Sequence, residues 1–135
     1  MNAPLASLVA EALATGTLAG LPERHYIDGR AKASVSGRTM PTFDPGTGEA
    51  FAAFAAGDAD DVDDAVRAAG AALAGPWRRT TPAERGRILM RAAQRIRANA
   101  DRLAVVEALD SGKRLSEARG DVAGAAQQAA EIGYL

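Results

Sequence analysis

Apolar residues in this chain change their period twice, and the changes divide it into three stretches. Leu5, Leu8, Val9, Ala12 and Leu13 recur at helical spacing and predict a short amphipathic helix. Residues 14–24, "ATGTLAGLPER", carry Gly and Pro and read as a linker, so residues 1–24 form an N-terminal helix and linker. Short strand-like pieces follow. "YIDGRA" sets Asp28-Gly29 between them, a tight-hairpin signal because both turn positions must tolerate positive φ. "RTMPTFDPGTGEAFAAFAAG" predicts two more strands around Pro45-Gly46-Thr47-Gly48. The expectation is a small antiparallel β-meander over residues 25–56.

From Asp58 to the end the period is helical. Asp58 is placed to cap a helix whose first turn is rich in Asp, the charge favoured at a helix N-terminus. Val62, Ala65, Val66, Ala69 and Leu73 line one face of it, and Gly75-Pro76 stops it. "TPAE" opens the next helix with Thr81 as N-cap, Pro82 at N1 and Glu84 at N3 of a capping box. Its expected buried stripe is Ile88, Leu89, Ala92, Ala93 and Ile96. After a break near Asn99–Asp101, a third helix runs through Leu103, Val106 and Leu109. Ser111-Gly112-Lys113 ends it, and an Ala-rich helix runs from about Leu115 to Gly133. This segment is therefore mostly α-helical with a small β-meander, with helices over residues 58–135.

Composition narrows what such a chain can do. Its 135 residues are 47% hydrophobic, but Ala and Gly carry much of that, with one Trp, three Phe and two Tyr. A core made this way packs shallowly and invites surface from elsewhere. The net charge of −1 supplies no field for nucleic acid or an anionic membrane. No apolar run reaches membrane-spanning length, and the first twenty residues lack a basic start and contain Glu11, so they do not read as a signal peptide. A cytoplasmic protein is expected. With no cysteine, the chain carries no disulfide, thiolate metal site or cysteine nucleophile.

Candidate motifs mostly fail on their own requirements. A phosphate loop needs G-x-x-x-x-G-K-[ST] after a strand; here Glu107 stands at the first glycine position, Arg114 follows Lys113, and a helix precedes. As a helix end, Gly112 takes the left-handed conformation and the cations sit at the negative pole. That reading leaves Glu107, Asp110 and the downstream "EARGDV" without a role. Arg87, Arg91 and Arg95 align at i+4 with no aromatic beside them, which reads as a solvated helix face rather than a nucleic-acid surface. His25 is the only histidine, expected at a surface or strand edge, so no histidine metal cluster forms.

Taken in order, "YIDG" (26–29), "FDPGTGE" (43–49), "AGDADDVDDAVRAA" (56–69), Trp77, "PAERGRIL" (82–89) and "EALDSGKRLSEARGDV" (107–122) resemble the N-terminal part of the aldehyde dehydrogenase superfamily. The resemblance implies an α/β protein of which this chain is the N-terminal part of a Rossmann-like cofactor-binding domain, over residues 25–135. It implies an oxidoreductase that converts an aldehyde to a carboxylic acid with NAD or NADP, through a cysteine nucleophile and a glutamate base. None of those catalytic or dinucleotide-binding residues matches a position here, so the chain alone is expected to be inactive and to bind no cofactor. Its expected partner is the remainder of an aldehyde dehydrogenase chain, or a second copy of itself. The resemblance makes "EALDSGK" the helix end before a helix bordering the substrate tunnel, with Ala125 and Ala126 on the tunnel wall. It also implies a sodium or potassium site from the backbone carbonyls of Thr42 and Phe43 and the carboxylate of Asp110. The residues themselves leave a local alternative, in which Asp110 caps the helix end or neutralises Lys113. The rival reading of the whole chain is a free-standing helical interaction module without enzymatic activity.

Overall fold

The computed structural model describes residues 3–134, which divide into two compact units. The first unit holds residues up to 19, residues 44–49 and residues from 81 on. Its elements are α1 (Leu5–Thr15), α3 (Pro82–Ala98), α4 (Ala100–Ser111) and α5 (Leu115–Tyr134). The second unit, residues 20–43 and 50–80, holds β1 (His25–Ile27), β2 (Arg30–Lys32), β3 (Thr39–Phe43), β4 (Ala50–Ala55), α2 (Ala59–Ala74) and a 3-10 turn over Pro76–Arg79.

In the second unit the strands are antiparallel, as expected, but they form two separate two-stranded sheets rather than one meander. Asp28 and Gly29 both take positive φ, 52° and 72°, and close β1 onto β2. Residues 33–38 then leave the ladder. Two of their polar groups are claimed by a helix instead: the Val35 amide donates to Asp61 Oδ1 at 3.0 Å and the Ser34 hydroxyl to Asp61 Oδ2 at 2.9 Å. A carboxylate that offers acceptors to two successive residues competes directly with continued strand pairing. β3 and β4 pair independently, with a register break between Thr42 and Phe43.

Asp58 caps α2 as expected. Its carboxylate accepts from the amides of Asp60 and Asp61, and Asp61 returns the bond to the Asp58 amide at 3.2 Å. Around α2, Asp61 is buried and Asp64 and Ala68 are half-buried, while Val62, Val66 and Leu73 stand 59%, 64% and 63% exposed. The helix thus turns its polar and small side inward and its hydrophobic side outward.

The first unit is organised by α3 and α5, its most extensive helix pair. The capping box forms as expected, Glu84 accepting from the Thr81 amide at 2.7 Å and Thr81 Oγ1 from the Glu84 amide at 3.2 Å. The buried seam of α3 differs from the expected stripe. Ile88 and Ala92 face outward, and Gly86 and Ala93 are the buried positions, with Leu89, Met90 and Ile96 half-buried. Gly86 was missed because glycine carries no hydrophobic signal, yet it is what allows α5 to approach. A Cβ at Gly86 would stand 2.3 Å from the Gly133 carbonyl oxygen. On α5 the matching row is Ala118, Val122, Ala126, Ala130 and Gly133, a ridge of small side chains spaced to interlock with a neighbouring helix. On α4 the buried residues are Ala104 and Val105, next to the expected Leu103 and Val106. Leu8 of α1 and Leu18 after it are also buried, and Arg102 donates to the Ala19 carbonyl. No large side chain among the described residues is fully buried, and alanine makes up most of the core beside Leu8, Leu18 and Val105, as the composition implied.

Candidate functional site

The stretch that failed as a phosphate loop folds into a charged clasp. α4 ends at Ser111, and Gly112 takes φ 69° with its amide bonded to the Ala108 carbonyl at 3.0 Å. Glycine is required there twice over, since a Cβ would also stand 2.8 Å from Cγ of Pro45. Lys113 then reaches both neighbouring helices: its ammonium donates to Asp121 Oδ2 at 2.8 Å and lies 2.6 Å from Glu107 Oε1. Asp121 and then Glu107 hold the ammonium well above the usual lysine range. Glu107 and the Asp121 of "EARGDV", which the helix-end reading left idle, are thus explained by one cation joining α4 to α5. Only the fold reveals this pairing, because residues six and eight positions away across a helix break share no sequence period.

Of the residues implied for a monovalent cation, Thr42 and Phe43 end β3 in the second unit, and Asp110 lies in the last turn of α4 in the first. Among the described residues no three His, Cys, Asp or Glu side chains gather as a metal cluster. Ala125 and Ala126 fall on α5, Ala125 exposed and Ala126 buried. The Ala126 carbonyl accepts from Arg97 of α3 at 3.4 Å. Arg87, Arg91 and Arg95 are exposed on the outer face of α3. No helix among the described residues is long and apolar enough to cross a membrane.

Sequence reading also passed over the most densely bonded carboxylate of the second unit. Asp61 is 3% exposed. Burial works against its charge, but donation from the Val35 amide, the Ser34 hydroxyl and the Asp58 amide, with His25 nearby, outweighs it and holds the carboxyl below its ordinary value. The capping position was legible in "DADDVD", whereas the loop it grips was not. A depressed folded-state value means that this stability is present above the unfolded-state value and is lost as pH falls through the folded one. Acid titration should therefore loosen residues 33–38 at or below about pH 4. Amide exchange at Val35 reads it, and a Val35 amide equally protected at pH 6 and pH 3 would contradict the assignment.

Similarity to known proteins accounts for the same stretches. A model of the aldehyde dehydrogenase family matches residues 32–134. An aldehyde dehydrogenase of Aspergillus niger is 42% identical over 101 residues, covering 75% of this chain and 20% of the relative. An aminoacetaldehyde dehydrogenase of Pseudomonas aeruginosa is 43% identical over 98 residues, 72% of this chain and 20% of the relative. The crystal structure of an NAD-dependent aldehyde dehydrogenase from Sinorhizobium meliloti superposes with a TM-score of 0.80 at 35% identity, over 83% of this chain and 23% of that one. The chain therefore spans about a fifth of the length of the curated relatives it matches, 20% in both cases. Hairpins, capped helices and clasp all fall within or beside the matched stretch, and the chain belongs to the aldehyde dehydrogenase family.

Proposed function

We propose that this chain acts as the N-terminal scaffold of an NAD(P)-dependent aldehyde dehydrogenase, a cytoplasmic enzyme oxidising an aldehyde to a carboxylic acid. The observation that carries this reading is the outward hydrophobic face of α2, since Val62, Val66 and Leu73 together make a surface that another part of such a protein would cover. The partner is the remainder of an aldehyde dehydrogenase chain, or a second copy of this chain. The nicotinamide, when bound by the whole enzyme, accepts hydride; the residues present here position helices and contribute no nucleophile, because there is no cysteine. In this reading α5 borders the substrate tunnel. Ala125 has the exposure a wall residue needs, and the buried Ala126 sets the packing behind it.

Two experiments test the reading. Residues 1–135 alone are expected to reduce neither NAD nor NADP with any aldehyde. Mixed or co-expressed with an aldehyde dehydrogenase lacking the matching N-terminal part, they are expected to restore turnover. Turnover by the chain alone would overturn the scaffold role, and so would a failure to complement by a chain shown to bind.

The cation site of Thr42, Phe43 and Asp110 belongs to the same proposal. Carbonyl and carboxylate oxygens suit a hard cation, and the register break between Thr42 and Phe43 interrupts the regular alternation of ladder carbonyls where two would be needed. In the complemented enzyme, Asp110→Asn is expected to weaken the stabilisation of the fold by potassium or sodium over tetramethylammonium. An unchanged salt response would remove the site.

A further inference from the structure

Nε2 of His25 is buried and has no hydrogen-bond partner. It lies 3.8 Å from Oδ2 of Asp61, beyond hydrogen-bond range by well under the reach of a side-chain adjustment. The ring is closely seated, since a Cβ at Gly57 would stand 3.4 Å from its Cε1. It still keeps 24% of its side-chain surface in solvent, so a proton can reach it. Other charged groups surround the pair. Lys32 stands opposite His25 in the ladder and is held by Asp64 of α2, which Arg67 also contacts; Asp58 at the start of α2 has Arg38 at 3.9 Å. Each of these carboxylates already has a basic partner, and Asp61 is the one whose only nearby base is the histidine.

We propose that His25 and Asp61 form a proton-operated latch fastening the β1–β2 hairpin to the N-terminus of α2. With the imidazole protonated, Nε2–H donates to Asp61 Oδ2, and a charge-assisted bond spans the gap. The neutral ring leaves either a bare lone pair facing a carboxylate oxygen or an uncharged donor of about half that strength. The same carboxylate grips Ser34 and Val35, so engaging the histidine tightens the hairpin, the 33–38 loop and the helix start together.

The chain has one histidine and no cysteine, and these are the side-chain types whose charge ordinarily changes near neutral pH. The test compares denaturant unfolding of the full chain with that of His25→Gln. On going from pH 8 to pH 6 the folded-to-unfolded ratio of the parent is expected to rise roughly fivefold relative to His25→Gln. The protection factor of the Val35 amide, its exchange rate relative to the intrinsic rate at each pH, is expected to rise over the same range in the parent only. In an Asp61→Asn background the difference between histidine and glutamine is expected to vanish. Parallel pH responses of parent and His25→Gln would overturn the latch, as would a pH-dependent difference that survives Asp61→Asn. Should Asp61→Asn fail to fold, the parent comparison and the Val35 exchange decide the matter by themselves.

Discussion

Gly86→Ala is expected to destabilise the α3–α5 pair by about 2 kcal/mol, while Gly120→Ala stabilises α5 by about 0.5–1 kcal/mol. The two substitutions add the same methyl group inside a helix, and each removes the backbone freedom that makes glycine a poor helix former. They differ in what the methyl meets. At Gly86 it would stand 2.3 Å from the carbonyl oxygen of Gly133, which is backbone and yields only if α5 moves away. At Gly120 nothing lies within 4 Å. Overpacking costs typically about 1–3 kcal/mol and occasionally more, enough to exceed the helix-propensity gain of about 1 kcal/mol. Chemical denaturation of the two variants checks the sign directly. A neutral or stabilising Gly86→Ala would mean that the helices do not approach as closely as they do here.

The isolated chain is expected to bind a hydrophobic dye or to self-associate through α2. Replacing Val62, Val66 and Leu73 with serine should lower the signal severalfold. All three side chains are more than half exposed, so their removal should change the unfolding midpoint little. An exposed apolar stripe on a helix whose opposite side already packs has no internal use, and in water it favours any contact that covers it. Dye fluorescence and light scattering together give the answer. A compact, dye-silent monomer would count against the scaffold reading and for the free-standing helical module.

Local rules written in adjacent residues carried most of the secondary structure. Asp28-Gly29 closes its hairpin because both residues take positive φ. Thr81 and Glu84 close a capping box because they are three residues apart. Gly112 ends α4 in the left-handed conformation that its position after a helical run predicted. Each depends on a few neighbours, so each is legible without the rest of the fold. The aldehyde dehydrogenase likeness was legible too, because several such pieces occur in a fixed order along the chain.

Tertiary structure alone decided which faces meet. The α3 seam runs through Gly86 instead of Ile88 because close helix approach selects for the absence of a side chain, which a hydrophobic pattern cannot register. The strands split into two sheets around a loop that Asp61, some 26 residues away, grips through the amide of Val35. Lys113 pairs with Glu107 of α4 and, because α5 lies beside α4, with Asp121 as well. In each case the deciding partner lies outside the local sequence pattern, and its pull depends on distance and burial, quantities that exist only after the backbone has closed on itself.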